Sequence, residues 1–85
     1  MSYVVYIIRT ADNFLYTGMT WNLRKRFQEH CAGIKSFIKN RKKPFEIVYS
    51  ENCSSKREAA KREKQIKGYR REKKDKLIEE FLSYN

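Results

Sequence analysis

The sequence predicts an α+β domain: a three-stranded antiparallel sheet flanked by three helices, in the order β-β-α-β-α-α. Three observations carry that expectation. Short runs rich in β-branched and aromatic residues, Tyr3–Arg9 and residues 45–49, read as strands. Three other segments repeat apolar residues at helical spacing. Turn and cap residues separate the two kinds of segment: Asp12, Asn13, Asn22, Gly33, Pro44, Ser55 and Gly68. With 85 residues, the whole of 1–85 forms a single domain.

Tyr3–Arg9 has almost no polar interruption, which is how a strand covered on both faces reads. Asp12-Asn13 is a turn signal, and residues 14–17 follow as a second strand. The two form a hairpin that brings Tyr6 and Tyr16 near one another, and Gly18 ends the second strand. A first helix starts at Asn22, a good N-cap, with a stripe of Leu23, Phe27, Cys31 and Ile34, and ends near Gly33. Residues 35–43 make a basic connection interrupted by Phe37-Ile38, and Pro44 stops anything helical. Residues 45–49 alternate and form the third strand. Ser55 to Glu58 is a capping box opening the second helix, whose inner stripe is Ala59, Glu63 and Ile66 and which Gly68 ends. A third helix, about residues 70–82, turns Leu77, Ile78, Phe81 and Leu82 inward.

Composition narrows the function. Forty per cent of the residues are hydrophobic, which suits a packed fold rather than a disordered basic tail. Twenty Lys and Arg against ten Asp and Glu give a net charge of +10, which points to a polyanionic partner. Nucleic acid comes first; ribosomal RNA and an anionic membrane surface share the same attraction. Cys31 and Cys53 show no metal spacing and read as small core hydrophobes. The apolar start is too short for a signal peptide and no stretch could span a membrane, so the expected location is the cytoplasm.

Three features could carry chemistry. Arg26 and His30 are four apart and share a helix face bordering the stripe, unless both are simply solvated. Glu63 falls within an inner stripe, where an unpaired carboxylate needs a cation. A divalent metal, Arg26 or Lys67 would each serve. Tyr6 and Tyr16 face each other across the hairpin, as core aromatics or as a polar pair needing partners.

Together these positions resemble the GIY-YIG nuclease superfamily. Val4-Val5-Tyr6 matches the first half-motif and Tyr16-Thr17-Gly18 the second. Leu23 through His30, with Arg26 and His30 four apart, is similar to the helix signature, and Glu58-Ala59-Ala60-Lys61-Arg62-Glu63 to the metal-binding segment. The likeness runs over about residues 3–74 and is nearest to small stand-alone bacterial members often left uncharacterised. It implies an endonuclease hydrolysing phosphodiester bonds, DNA more readily than RNA, with one Mg²⁺ or Mn²⁺ on Glu63. Arg26 would stabilise charge on the phosphate, and Tyr6 would activate or orient water, helped by Tyr16 or His30. Gly18 would leave room for the scissile strand, and Lys64, Lys67, Arg70 and Arg71 would hold phosphates. A partner protein could supply specificity; neither a membrane nor a small-molecule cofactor is implied. The sequence departs from the family at Met19, where some active relatives carry lysine, and has no clear counterpart of the asparagine several place after the metal helix. A non-catalytic nucleic-acid-binding module with the same fold and a basic RNA- or ribosome-associated adaptor stand as the alternatives.

Overall fold

A computed structural model describes residues 2–84. Its order is β1 (Tyr3–Arg9), β2 (Leu15–Thr20), α1 (Leu23–Ala32), β3 (Glu46–Cys53), α2 (Lys56–Lys67) and α3 (Arg71–Ser83). This is the expected α+β arrangement. β1 lies at the centre of an antiparallel sheet ordered β2-β1-β3.

The central strand separates two cores, and its pleat assigns alternate residues to each. Val5 and Ile7 join Leu15, Val48, Tyr49, Cys53, Ala59, Ile66 and Ile78 beneath α2 and α3. Tyr6 and Ile8 join Ile38 and Phe45, with Leu23, Phe27 and Cys31 of α1 packed against them. This explains the uninterrupted apolar run in β1: neither face reaches water. β3 carries a bulge, because Ile7 pairs with Tyr49 and Ile8 with Ile47. Val48 is the extra residue, so Val48 and its neighbour Tyr49 both serve the same core.

The caps are those the sequence announces. Asn22 accepts a bond from the Lys25 amide at 3.1 Å, and Gly33 closes α1 at φ 76°, a left-handed conformation suited to glycine. Ser55 caps α2 by accepting from the Glu58 amide at 3.2 Å. The capping box is half made, since the Glu58 carboxylate accepts instead from the Ser54 hydroxyl at 2.8 Å.

Several expectations need correction. β2 does not end at Gly18 but continues to Thr20, because Gly18 pairs with Tyr6 and Met19 with Val5. β3 extends four residues past Tyr49, drawn on by pairing with the first half of β1. Ile34 is 52% exposed, because the left-handed turn at Gly33 removes it from the helical stripe. Leu82 is 44% exposed near the end of α3, and Ile78 is that helix's buried residue.

Thr17 sits 4% exposed in β2, and among the described residues its hydroxyl is the one buried side-chain polar atom with no hydrogen-bond partner. Burying an unpaired hydroxyl costs about 1–3 kcal/mol. Thr17→Val keeps the shape and removes that cost, so it should raise stability by about 1 kcal/mol in a denaturant titration. A destabilised variant would mean that the hydroxyl is satisfied after all.

Candidate active site

The site grows from Tyr6. Its place in β1 points the ring toward α1 and buries it to 1% exposure. The neighbouring position on β2 is Gly18, directly paired with Tyr6. A Cβ on Gly18 would lie 2.6 Å from the Tyr6 hydroxyl, inside any tolerable contact. The space that the sequence reading offered to a nucleic-acid backbone is therefore filled by the protein's own phenol.

His30 meets that phenol from α1. Its Nε2 lies 2.9 Å from Tyr6 Oη, and its Nδ1 lies 2.6 Å from Ser36 Oγ. The imidazole is fully buried, which excludes the solvated reading of this residue. Tyr16 completes the aromatic cluster, its ring centroid 5.0 Å from His30 and 6.3 Å from Tyr6.

Ser36 is the residue that sequence reasoning missed. It lies in the basic connection after α1, where nothing periodic marks it. The one available signal is alternation: Ser36 and Ile38 point inward while Phe37 between them points out. Ser36 Oγ also accepts from the Ile38 amide at 3.2 Å, which locks the returning loop against His30.

Burial sets the protonation states. It lowers the His30 pKa to about 4, with the nearby Arg26 charge acting in the same direction, so the ring is neutral at pH 7. Burial and the neighbouring Tyr16 push Tyr6 up to about 12; Arg26 opposes this and Glu63 adds to it. Arg26 and Glu63 are thus both near enough to act electrostatically on one phenol, although α2 packs on the other core.

Arg26 does not pair with Glu63. Its guanidinium donates to Glu29 at 3.1 Å, to the Lys35 carbonyl at 2.8 Å and to the Ile34 carbonyl at 3.4 Å. It borders a cleft of about 110 Å³ shared with Thr20, Trp21, Asn22, Lys25 and Glu29. Glu63 makes its ion pair with Lys67, at a long 3.6 Å, and its side chain keeps 22% exposure. Among the described residues no three His, Cys, Asp or Glu side chains gather into a metal cluster. The available donor is the Glu63 carboxylate, whose ion pair with Lys67 is long. That fits a hard ion such as Mg²⁺ or Mn²⁺, which takes its remaining oxygens from water and phosphate.

The basic residues divide. Lys64, Lys67 and Arg70 are exposed around the end of α2. Arg71 is exposed too, but its guanidinium is occupied, donating to Asp75 at 3.0 Å and to both the carbonyl and the side chain of Asn13 at 3.0 Å.

A three-stranded antiparallel sheet flanked by three helices, with a tyrosine pair on its hairpin and a buried histidine bonded to one of them from α1, is the class of domain the geometry presents. The family model described as the GIY-YIG catalytic domain matches residues 2–76, and the chain belongs to that family. More particularly, it is 45% identical over 76 residues to a UPF0213 protein of Staphylococcus haemolyticus, covering 89% of this chain and 93% of that one. A UPF0213 protein of Natronomonas pharaonis is 40% identical over 74 residues, 87% of each chain. The solution NMR structure of a UPF0213 protein from Bacillus halodurans matches with TM-score 0.61 at 32% identity, over 93% of this chain and 84% of that one.

Two outcomes test this geometry. Between pH 6.5 and about 4 the unfolded chain protonates His30 while the folded protein resists. The stability this residue contributes is therefore full above pH 6.5 and lost as pH falls toward 4, by up to roughly 3 kcal/mol. Thermal melts at pH 7 and pH 5 should show that loss in the wild type and a much smaller one in His30→Gln. Gly18→Ala should cost about 1–3 kcal/mol by forcing the Tyr6 ring aside; an unperturbed melt would show that the phenol does not depend on that space.

Proposed function

We propose that this protein is a divalent-metal-dependent endonuclease that hydrolyses phosphodiester bonds, DNA more readily than RNA. The observation that carries the reading is the buried Tyr6–His30–Ser36 chain, whose phenol feels both Arg26 and Glu63. A module that only bound nucleic acid would need neither a buried phenol wired to a neutral imidazole nor a carboxylate placed among lysines. Family membership and the net charge of +10 support a nucleic-acid substrate.

The protonation arrangement that serves the chemistry has Ser36 donating to His30 Nδ1. Nε2 then carries the ring proton and donates to the Tyr6 oxygen, leaving the remaining lone pairs of that oxygen for an attacking water. Tyr6 so held orients the water and, as phenolate, takes its proton. Burial makes the phenolate scarce at neutral pH, and His30 and Arg26 act against that by stabilising the negative oxygen. The Arg26 guanidinium, anchored on Glu29 and two carbonyls, meets charge developing on the phosphate with little reorganisation. A Mg²⁺ or Mn²⁺ ion on Glu63 would supply Lewis-acid stabilisation of the leaving oxygen. Lys64, Lys67 and Arg70 would hold the strand beyond the site.

Nuclease assays on plain, nicked and branched DNA and on RNA, with Mg²⁺ or Mn²⁺, test this. Tyr6→Phe should lower the rate by about 100-fold or more, and Arg26→Ala by a similar factor, with the fold retained. Glu63→Gln should abolish metal-dependent cleavage. Because the Tyr6 pKa lies near 12, the rate should climb steadily from neutral pH through pH 9 without a plateau. Cleavage that survives Glu63→Gln or needs no metal would overturn the mechanism. Tight binding with no cleavage of any substrate would favour a non-catalytic module.

A further inference from the structure

The connection between α1 and β3 is rigidly held yet presents a bare aromatic ring. Ser36 and Ile38 are buried, 9% and 0% exposed, and between them Phe37 is 91% exposed. The backbone on either side is fixed. Arg26 holds the Ile34 and Lys35 carbonyls, and Ser36 is bonded to His30. Farther on, the Ala11 amide donates to the Lys42 carbonyl at 2.8 Å, and Arg41 pairs with Asp12 while covering Phe14. An exposed phenylalanine forgoes the gain that burying such a side chain yields. Here a well-ordered loop keeps it outside.

The surroundings of the ring select its partner. Phe37 lines a concavity of about 370 Å³ with Gly33, Lys35, Ser36 and Lys39, within the size range of small-ligand clefts. Lysines flank the ring on both sides in sequence, and Lys42 and Lys43 follow. The cores of protein interfaces are depleted in lysine, so this patch suits a protein partner poorly. One ring on a loop is also far less apolar area than a membrane-binding helix face provides. An aromatic platform between cations matches an anionic strand that offers a base to stack and phosphates to hold.

We propose that Phe37, with Lys35 and Lys39, forms a base-stacking subsite that receives one unpaired nucleotide of a nucleic-acid strand. The inference rests on the nucleic-acid reading of the neighbouring site and adds a substrate class to it. Ser36, next in sequence to Phe37, bonds His30, so the subsite and the buried site share one loop. Strands with an unpaired or displaced base are then preferred over intact duplex.

The test is binding in EDTA, where no metal-dependent cleavage occurs, measured by anisotropy of a labelled oligothymidylate and of a duplex of equal length. Phe37→Ala should weaken oligothymidylate binding by about tenfold or more and duplex binding by less than about twofold. Replacing Lys35 and Lys39 by alanine should weaken both and flatten the salt dependence. In a Trp21→Phe background, the indole of Phe37→Trp should keep the affinity and be quenched by oligothymidylate. Equal loss on both substrates, no loss, or an unquenched indole would overturn the subsite. So would a Phe37→Ala effect confined to phosphatidylglycerol vesicles. Stacking that persists where Mg²⁺ supports no cleavage would remove the nuclease reading and leave the subsite standing. Absence of binding to every oligonucleotide at low salt would remove both.

Discussion

The 2.9 Å hydrogen bond between Tyr6 and His30 is the contact around which the rest is arranged. Both rings are buried, and burial imposes conditions on each neighbour. The strand beside Tyr6 must carry a residue without a side chain, and it carries Gly18. The imidazole must stay neutral, because an unpaired charge there would lack hydration. Its second nitrogen must find a partner, and the chain returns after α1 to supply Ser36. A strand, a helix and a loop are therefore fixed in relation to one another by two polar contacts within an otherwise apolar core. Each group in that chain is satisfied by the next, which is the condition for a buried polar network to stabilise rather than weaken a fold.

The cations of this protein do two different jobs. Of the six ion pairs among the described residues, five use arginine and one uses lysine. Arg62 shows the arginine role at its fullest: it donates to Glu51, Gln65 and the Tyr69 hydroxyl, and Glu51 also accepts from Tyr49. The planar fork of arginine suits such fixed, multiple bonds, whereas lysine is a flexible point charge. Most of the charge left to attract phosphate is therefore carried on lysines. Attraction of that kind acts on phosphates without reading sequence.

Most of the architecture was legible because it is written in local pattern. The two-sided burial of β1, the caps at Asn22, Gly33 and Ser55, and the placing of Ala59, Ile66 and Ile78 all follow from spacing and side-chain chemistry. What was illegible depended on pairing between distant segments. Glycine weakens strands, so Gly18 looked like a terminus; it is an interior position because Tyr6 needs the space beside it. Residues 50–52 are polar and carry little strand signal of their own, and β1 supplies it by pairing. The partition of α1 into a stripe of four was one residue too long, since the turn at Gly33 changes direction before Ile34. Within the site, the approach of Tyr6, Tyr16 and His30 could be read from motif order. The identity of the Arg26 partner and the whole of the Ser36 contact could not, because each depends on how the chain doubles back after α1.

The division of the site between two cores has a consequence for how such a chain behaves while it is being made. Arg26 and His30 arrive on a helix packed against one side of the sheet, and Glu63 on a helix packed against the other. Only the completed sheet, with its central strand enclosed on both sides, brings the Arg26 and Glu63 charges to bear on the Tyr6 phenol. An unfolded chain keeps the lysines and their charge but not this arrangement of Tyr6, Arg26 and Glu63. The chemistry proposed for the site therefore depends on the finished fold and not on the charge of the chain alone.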